Sequence, residues 1–276
     1  MAGPVPAILV MSRSVGREFP FWLLAAILLG VLFAWLMVED GDYSAILLAL
    51  QKGIWTTLWV SALAFALAAI LGLLVALGRL SRFRVLREVA TFYVEIVRGI
   101  PVLVLLFYIA FVGAPALIVA WNWTFAVLID AGLLPALGVR DFDFTWRAIM
   151  ALMISYSAFL SEIFRAGIEA VPEGQVEAAE TLGLGRRLTF RLVVFPQAVR
   201  IVIPPLGNDF VAMIKDSALV SALGVQDITQ IGKVYSASTF LFFETYNVVA
   251  FLYLVMTLGL SLLVRAFEHR LKQHGG

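Results

Sequence analysis

Residues 165–200 read RAGIEAVPEGQVEAAETLGLGRRLTFRLVVFPQAVR, and the fold turns on what this stretch does between the two apolar runs that flank it. It is polar and carries its own helical punctuation. Pro172 opens a run of helix formers from Glu173 to Leu182, and Gly183 and Gly185 supply a stop. Arg186 begins a second basic, amphipathic stretch that reaches Pro196. Val176, Ala179 and Leu182 recur at helical spacing as a narrow apolar stripe. Linkers rarely combine caps with a stripe. The pattern predicts a short helix–turn–helix, too polar to enter hydrocarbon, lying on one face of a bundle.

The rest of the chain is of a different character. Of its 276 residues, 62% are hydrophobic and 14% charged, against about half and about a quarter in a soluble domain. No single soluble core hides that much apolar surface. The 21 Phe and 7 Trp exclude a disordered chain, which is poor in aromatics. A formal charge of +1 excludes a nucleic-acid binder with a basic face. With no cysteine, and with His269 and His274 both near the C-terminus, thiolate and core-imidazole chemistry are unavailable. An integral membrane protein remains, with the lipid bilayer as its surroundings.

A helix needs roughly 20 apolar residues to cross about 30 Å of hydrocarbon. Candidate spans are 19–38, 53–78, 89–112, 144–168, 196–214 and 245–267. The first is too long for a signal-peptide core and is followed by no small-x-small site, so it reads as a retained anchor. Six crossings put both termini on one side. That side collects most of the 20 basic residues, with clusters at Arg79–Arg87 and Arg186–Arg200, and is therefore cytoplasmic. The opposite side is acidic, with Glu39, Asp40, Asp42, Asp130, Asp141 and Asp143, and holds Arg147 among its few cations. Residues 114–129 follow Gly113 and Pro115 and read either as an interfacial or re-entrant segment, with Trp121 and Trp123 at the headgroups, or as an apolar external loop.

The loop sequence resembles the cytoplasmic coupling segment of ABC importer permeases: Glu177-Ala178-Ala179, three residues, Gly183, nine residues, then Val193-x-Phe195-Pro196. EIFRAGIEAVPEGQVEAA, PQAVRIVIPPLGNDFVAMIKDSAL and YVEIVRGIP at 93–101 are similar to the polar amino-acid uptake permeases of the histidine, glutamine and arginine type. The resemblance implies an all-α polytopic bundle of the type I importer permease kind. Its five core helices and coupling loop (169–196) lie within 52–270, after an added N-terminal helix at 19–38 and a cytoplasmic segment at 1–18, and before a tail at 271–276. It also implies docking of Glu177, Ala178, Ala179, Gly183 and Pro196 on a separate cytoplasmic ABC ATPase dimer that holds ATP and magnesium. A second permease chain, the same or related, and an external solute-binding protein complete the expected assembly in a bacterial inner membrane. No cofactor is expected in this chain, and neither Lys52-Gly53 nor Gly232-Lys233 sits in a phosphate-binding loop.

Charges inside a span are costly and mark pathways or pairs. Glu95 and Arg98, and again Glu162 and Arg165, read Glu-Ile-x-Arg, which puts acid and base on one helix face. At about 1.5 Å per residue, Glu95 and Glu162 each lie about 9 Å from the cytoplasmic end of their spans. The four read equally as an inner gate and as structural pairs. Asn208 and Asp209 follow Pro204-Pro205-x-Gly207, which reads as a mid-depth helix break able to meet a zwitterionic solute; an interhelical clamp explains Asn208 slightly better. Lys215 and Asp216 stand near the outer end, as mouth gate or as surface anchors. The rival reading is an ion-coupled secondary transporter of a small zwitterion, which has no use for a capped docking helix.

Overall fold

The computed structural model describes residues 21–273, so the expected cytoplasmic segment at 1–18 and the end of the tail lie outside the described residues. Among the described residues the chain is helical throughout, with no strand. Helix α1 (Phe21–Glu39) is apolar; α2 (Gly41–Arg79) runs 39 residues, about 58 Å, well beyond a bilayer's thickness. A turn leads to α3 (Arg84–Gly99), then α4 (Val102–Tyr108), a π-helical turn (Ile109–Gly113), α5 (Ala114–Thr124) and the short α6 (Ala126–Asp130). Helix α7 (Phe144–Glu169) descends to α8 (Glu173–Thr181), and α9 (Arg186–Thr189) passes through a second π turn (Phe190–Val194) into α10 (Phe195–Asp216). A 3₁₀ turn (Ser217–Leu223), α11 (Ile228–Thr239) and α12 (Phe242–Gln273) complete the fold.

Among the described residues, five helices are long and apolar enough to cross a membrane: Gly41–Arg79, Val102–Thr124, Phe144–Glu169, Arg186–Leu223 and Phe242–Arg270. The second corrects the span expected at 89–112. Pro101 has no amide hydrogen and holds Ile100 extended (φ −104°, ψ 131°), so the helix that begins at Arg84 ends at Gly99. A new helix starts at Val102 and crosses through Gly113 and Pro115, because the π turn absorbs the disturbance without breaking the rod. Residues 114–124 therefore continue a helix long and apolar enough to cross, rather than forming a separate interfacial or external segment. The order of the crossings is unchanged, because one apolar stretch replaces another.

Two further expectations are corrected. Pro204 and Pro205 lie inside an unbroken α10, so the mid-depth break is absent; adjacent helices tolerate the lost amide bonds. The second loop helix does not stop at Pro196 but continues as α10, and Gly185 starts that helix as its N-cap rather than ending α8.

Packing centres on the seam between α2 and α7. Val60, Ala64, Ala68, Gly72 and Ala76 recur every fourth residue and are all buried, a small-residue row that lets two backbones approach. A Cβ on Gly72 would lie 2.9 Å from the Ser157 carbonyl oxygen. Leu106, Leu152, Leu160 and Met213 fill the rest of this core. Aspartates start three helices: Asp40 accepts from the Asp42 amide (2.9 Å), Asp143 from Thr145 (2.9 Å) and Asp227 from Gln230 (2.8 Å).

Candidate functional site

The polar loop is a rigid knob. Helix α8 closes on Gly183, whose φ of +79° is left-handed. The Leu184 amide donates to Ala179 O (3.1 Å) and the Gly183 amide to Glu180 O (2.9 Å), the two bonds of a Schellman turn. Ala179, expected to dock on the partner ATPase, has its side chain buried within its own loop; Glu177, Ala178 and Leu182 face outward, Leu182 82% exposed. Gln197 ties the knob to the long helix, its amide donating to Gln175 Oε1 (2.6 Å) and Val193 O (2.9 Å). Pro196 sits in the first turn of α10, beyond the π turn.

The second cluster lies where α2, α3 and α7 meet. Glu162 Oε1 accepts from Arg79 Nη1 (2.6 Å) and Arg98 Nη1 (3.4 Å), and Oε2 from Arg165 Nη2 (2.8 Å) and Nε (3.1 Å). Arg165 also reaches Glu169 (2.6 Å). Arg98 lies over the Phe159 ring at 5.6 Å. The spacing of Glu162 and Arg165 correctly announced a pair, whereas Arg98 bonds to Glu162 and not to Glu95. Glu95 is exposed on α3, outside every crossing, and takes part in no ion pair among the described residues. Arg79 was missed, because in the sequence it is only one more cation at the end of an apolar run.

On α10, Asn208 is exposed and Asp209 half-buried; Asp216 follows Asp209 by seven residues, two turns on the same face. The buried Tyr156 hydroxyl donates to Asp216 Oδ2 at 2.8 Å, while Lys215 is exposed. The structure therefore separates the expected path residues into an ionic cluster toward the C-terminal end of α7 and a stripe along α10, and does not join them in one pocket.

Residues 68–273 match the family of binding-protein-dependent transport system inner membrane components. The chain belongs to that family. The permease is 35% identical over 223 residues to a probable glutamine ABC transporter permease protein, GlnM, of Bacillus subtilis, covering 81% of this chain and 93% of the relative. It is 34% identical over 234 residues to the glutamine transport system permease protein GlnP of Escherichia coli, covering 84% and 98%. A crystal structure of an amino acid ABC transporter with histidines superposes with a TM-score of 0.68 at 34% identity, over 85% of this chain and 98% of that one. The permease is thus an ABC importer membrane subunit of the all-α, type I architecture. It is a transporter component rather than an enzyme, and the ion-coupled alternative is set aside.

Two polar anchors escaped the sequence reading. Arg147, counted there as an external cation, is 5% exposed. Its guanidinium donates to Phe142 O (2.7 Å), Ala110 O (3.1 Å) and Val139 O (2.7 Å) and lies over Phe144. Ala110 belongs to the first π turn, so this arginine holds both the irregular point of the crossing and the outer loop, which Asn122 pins further at Leu137. Asp227 is fully buried at the start of α11. Burial pushes its carboxyl above the ordinary range, against the pull of the Gln230 amide and the Tyr253 hydroxyl.

Proposed function

We propose that this permease carries a polar amino acid inward as one half of a dimeric path, driven by a separate cytoplasmic ABC ATPase dimer that binds ATP and magnesium. The second half is a copy of this chain or a relative of it. A solute-binding protein on the outer side delivers the amino acid, and both termini lie in the cytoplasm of a bacterial cell. Helix α1 is an added membrane helix beside the core. The glutamine systems of the relatives favour an amino acid as cargo.

The observation that carries the reading is the capped knob α8, with Glu177, Ala178 and Leu182 turned outward and Gln197 bound to it. A displacement of α8 passes into the continuous helix from Arg186 to Leu223 as a rigid-body movement. The π turn at Phe190–Val194 is where that rod bends most easily. Along α10, Asp209 offers a carboxylate to the ammonium group of the cargo and Asn208 a donor or acceptor to either end, while Lys215 and Asp216 line the outer mouth. Glu162, with Arg79, Arg98 and Arg165, closes the inner mouth.

The test is ATP-driven uptake in vesicles holding the permease, its ATPase and its receptor. Gly183→Asp places a charged side chain on a left-handed residue, which costs about 1–2 kcal/mol in backbone alone. Nothing lies within 4 Å of its Cβ, so the chain still inserts. Uptake falls to background and solute-stimulated ATP hydrolysis is lost. Unaltered coupled hydrolysis in this variant rejects the docking role, and accumulation by the lone chain on an ion gradient rejects the whole reading.

A further inference from the structure

Helix α3 has three faces, at about 100° per residue. Ala90, Val94 and Val97 are buried, and with Tyr93 they pack on the bundle. A second stripe, Val85, Val89, Phe92 and Ile96, is equally apolar yet 48–77% exposed. The third face is charged: Arg84, Arg87, Glu88, Glu95 and Arg98. Gly78 near the end of α2 sets the position, because a Cβ there would lie 3.2 Å from Ala90 Cβ. The helix thus lies where α2 ends, and Leu74 and Leu77 in the last turns of α2 are exposed as well.

Positive charge is concentrated in the turn before it and in its first half. Arg82, Arg84 and Arg87 fall within six residues, and all are exposed. The acid beside them, Glu88, meets Arg84 at 3.9 Å with both side chains largely in solvent. Arg79 and Arg98, by contrast, are engaged by Glu162. Phe83 is the N-cap and has no side-chain acceptor for the first-turn amides, which leaves donors aimed outward. Basic groups, free amides and an open apolar stripe on one short helix match an amphiphile whose head is an anion and whose tail is hydrocarbon.

We propose that the first half of α3 binds an anionic phospholipid from the leaflet at this end of the bundle, its phosphate among Arg82, Arg84 and Arg87 and its acyl chains along Val85, Val89 and Phe92. The lipid holds α3 in the headgroup layer. Through Arg98 it thereby holds one of the three cations on Glu162.

The test is native mass spectrometry of the full-length chain in detergent, titrated separately with phosphatidylglycerol and phosphatidylcholine. The wild type retains phosphatidylglycerol preferentially. Arg82→Gln, Arg84→Gln and Arg87→Gln each weaken it roughly 5-fold, the triple variant more than tenfold, and the triple lysine variant keeps most of the affinity. Equal retention of the two lipids by the wild type, or undiminished phosphatidylglycerol in the triple glutamine variant, overturns the site. Should the triple variant fail to insert, Arg84→Gln, whose side chain is 85% exposed, carries the same test alone. Dissociation of a dimer by Phe92→Ser with lipid retention unchanged would assign the face to a second copy of the chain and overturn the proposal.

Discussion

Along α7 two polar hubs stand about 22 Å apart and are mirror images in chemistry. Toward its C-terminal end one carboxylate, Glu162, is shared by three arginines; at its N-terminal end one arginine, Arg147, is shared by three carbonyls. The partners of Glu162 are long side chains from three helices, 12–43% exposed. Such pairs are screened, worth little each, and able to exchange. The outer acceptors are backbone atoms around a buried cation, where losing one partner strands another. One end of the helix is therefore fixed by backbone acceptors and the other by side-chain pairs able to exchange.

If that contrast is right, Arg147→Met is the more damaging change. It leaves the buried carbonyl of Ala110 and the part-buried carbonyls of Val139 and Phe142 without their donor, a loss of about 2 kcal/mol, read as a lower thermal midpoint in detergent and poor insertion. A melt unchanged from wild type would show the outer end to be as adjustable as the inner one.

Glu162→Gln follows. It removes the charge that three arginines share but keeps an acceptor, so with solvent screening the stability cost is about 1 kcal/mol. Under the proposed closing of the inner mouth by this cluster, uptake should fall tenfold or more. Normal uptake would reduce the cluster to structural pairing.

Finer resolution comes from its partners. Arg79, 12% exposed and at 2.6 Å, should matter more than Arg98, 43% exposed and at 3.4 Å. Arg98→Gln should cost only a few tenths of a kcal/mol. The comparison is of thermal midpoints for the two single variants, and the reverse order would show that distance and burial do not rank these contacts.

The capped knob at α8 was legible because every signal it uses is local: Pro172 before a helix, Gly183 after it, a stripe at helical spacing. The third crossing was misplaced for an equally physical reason. A run containing Gly113 and Pro115 looks broken by propensity, and only the π turn, held at Ala110 by Arg147 from a different helix, shows it to be continuous. Pro204 and Pro205 misled in the same way, since a helix packed among neighbours survives lost amide bonds that would end a solvated one.

Composition, charge asymmetry and the spaced loop motif were enough to establish a polytopic helical bundle carrying a capped polar loop, because hydrophobic burial and helix capping depend on residues near each other in the chain. Which arginine meets which acid was decided only by tertiary packing. Arg79 and Arg98 reach Glu162 across 83 and 64 residues, and nothing in either neighbourhood specifies that distance. Helix crossings at Gly72 and Gly78 bring these charges together, and a sequence records such crossings only as small residues whose partners it does not name.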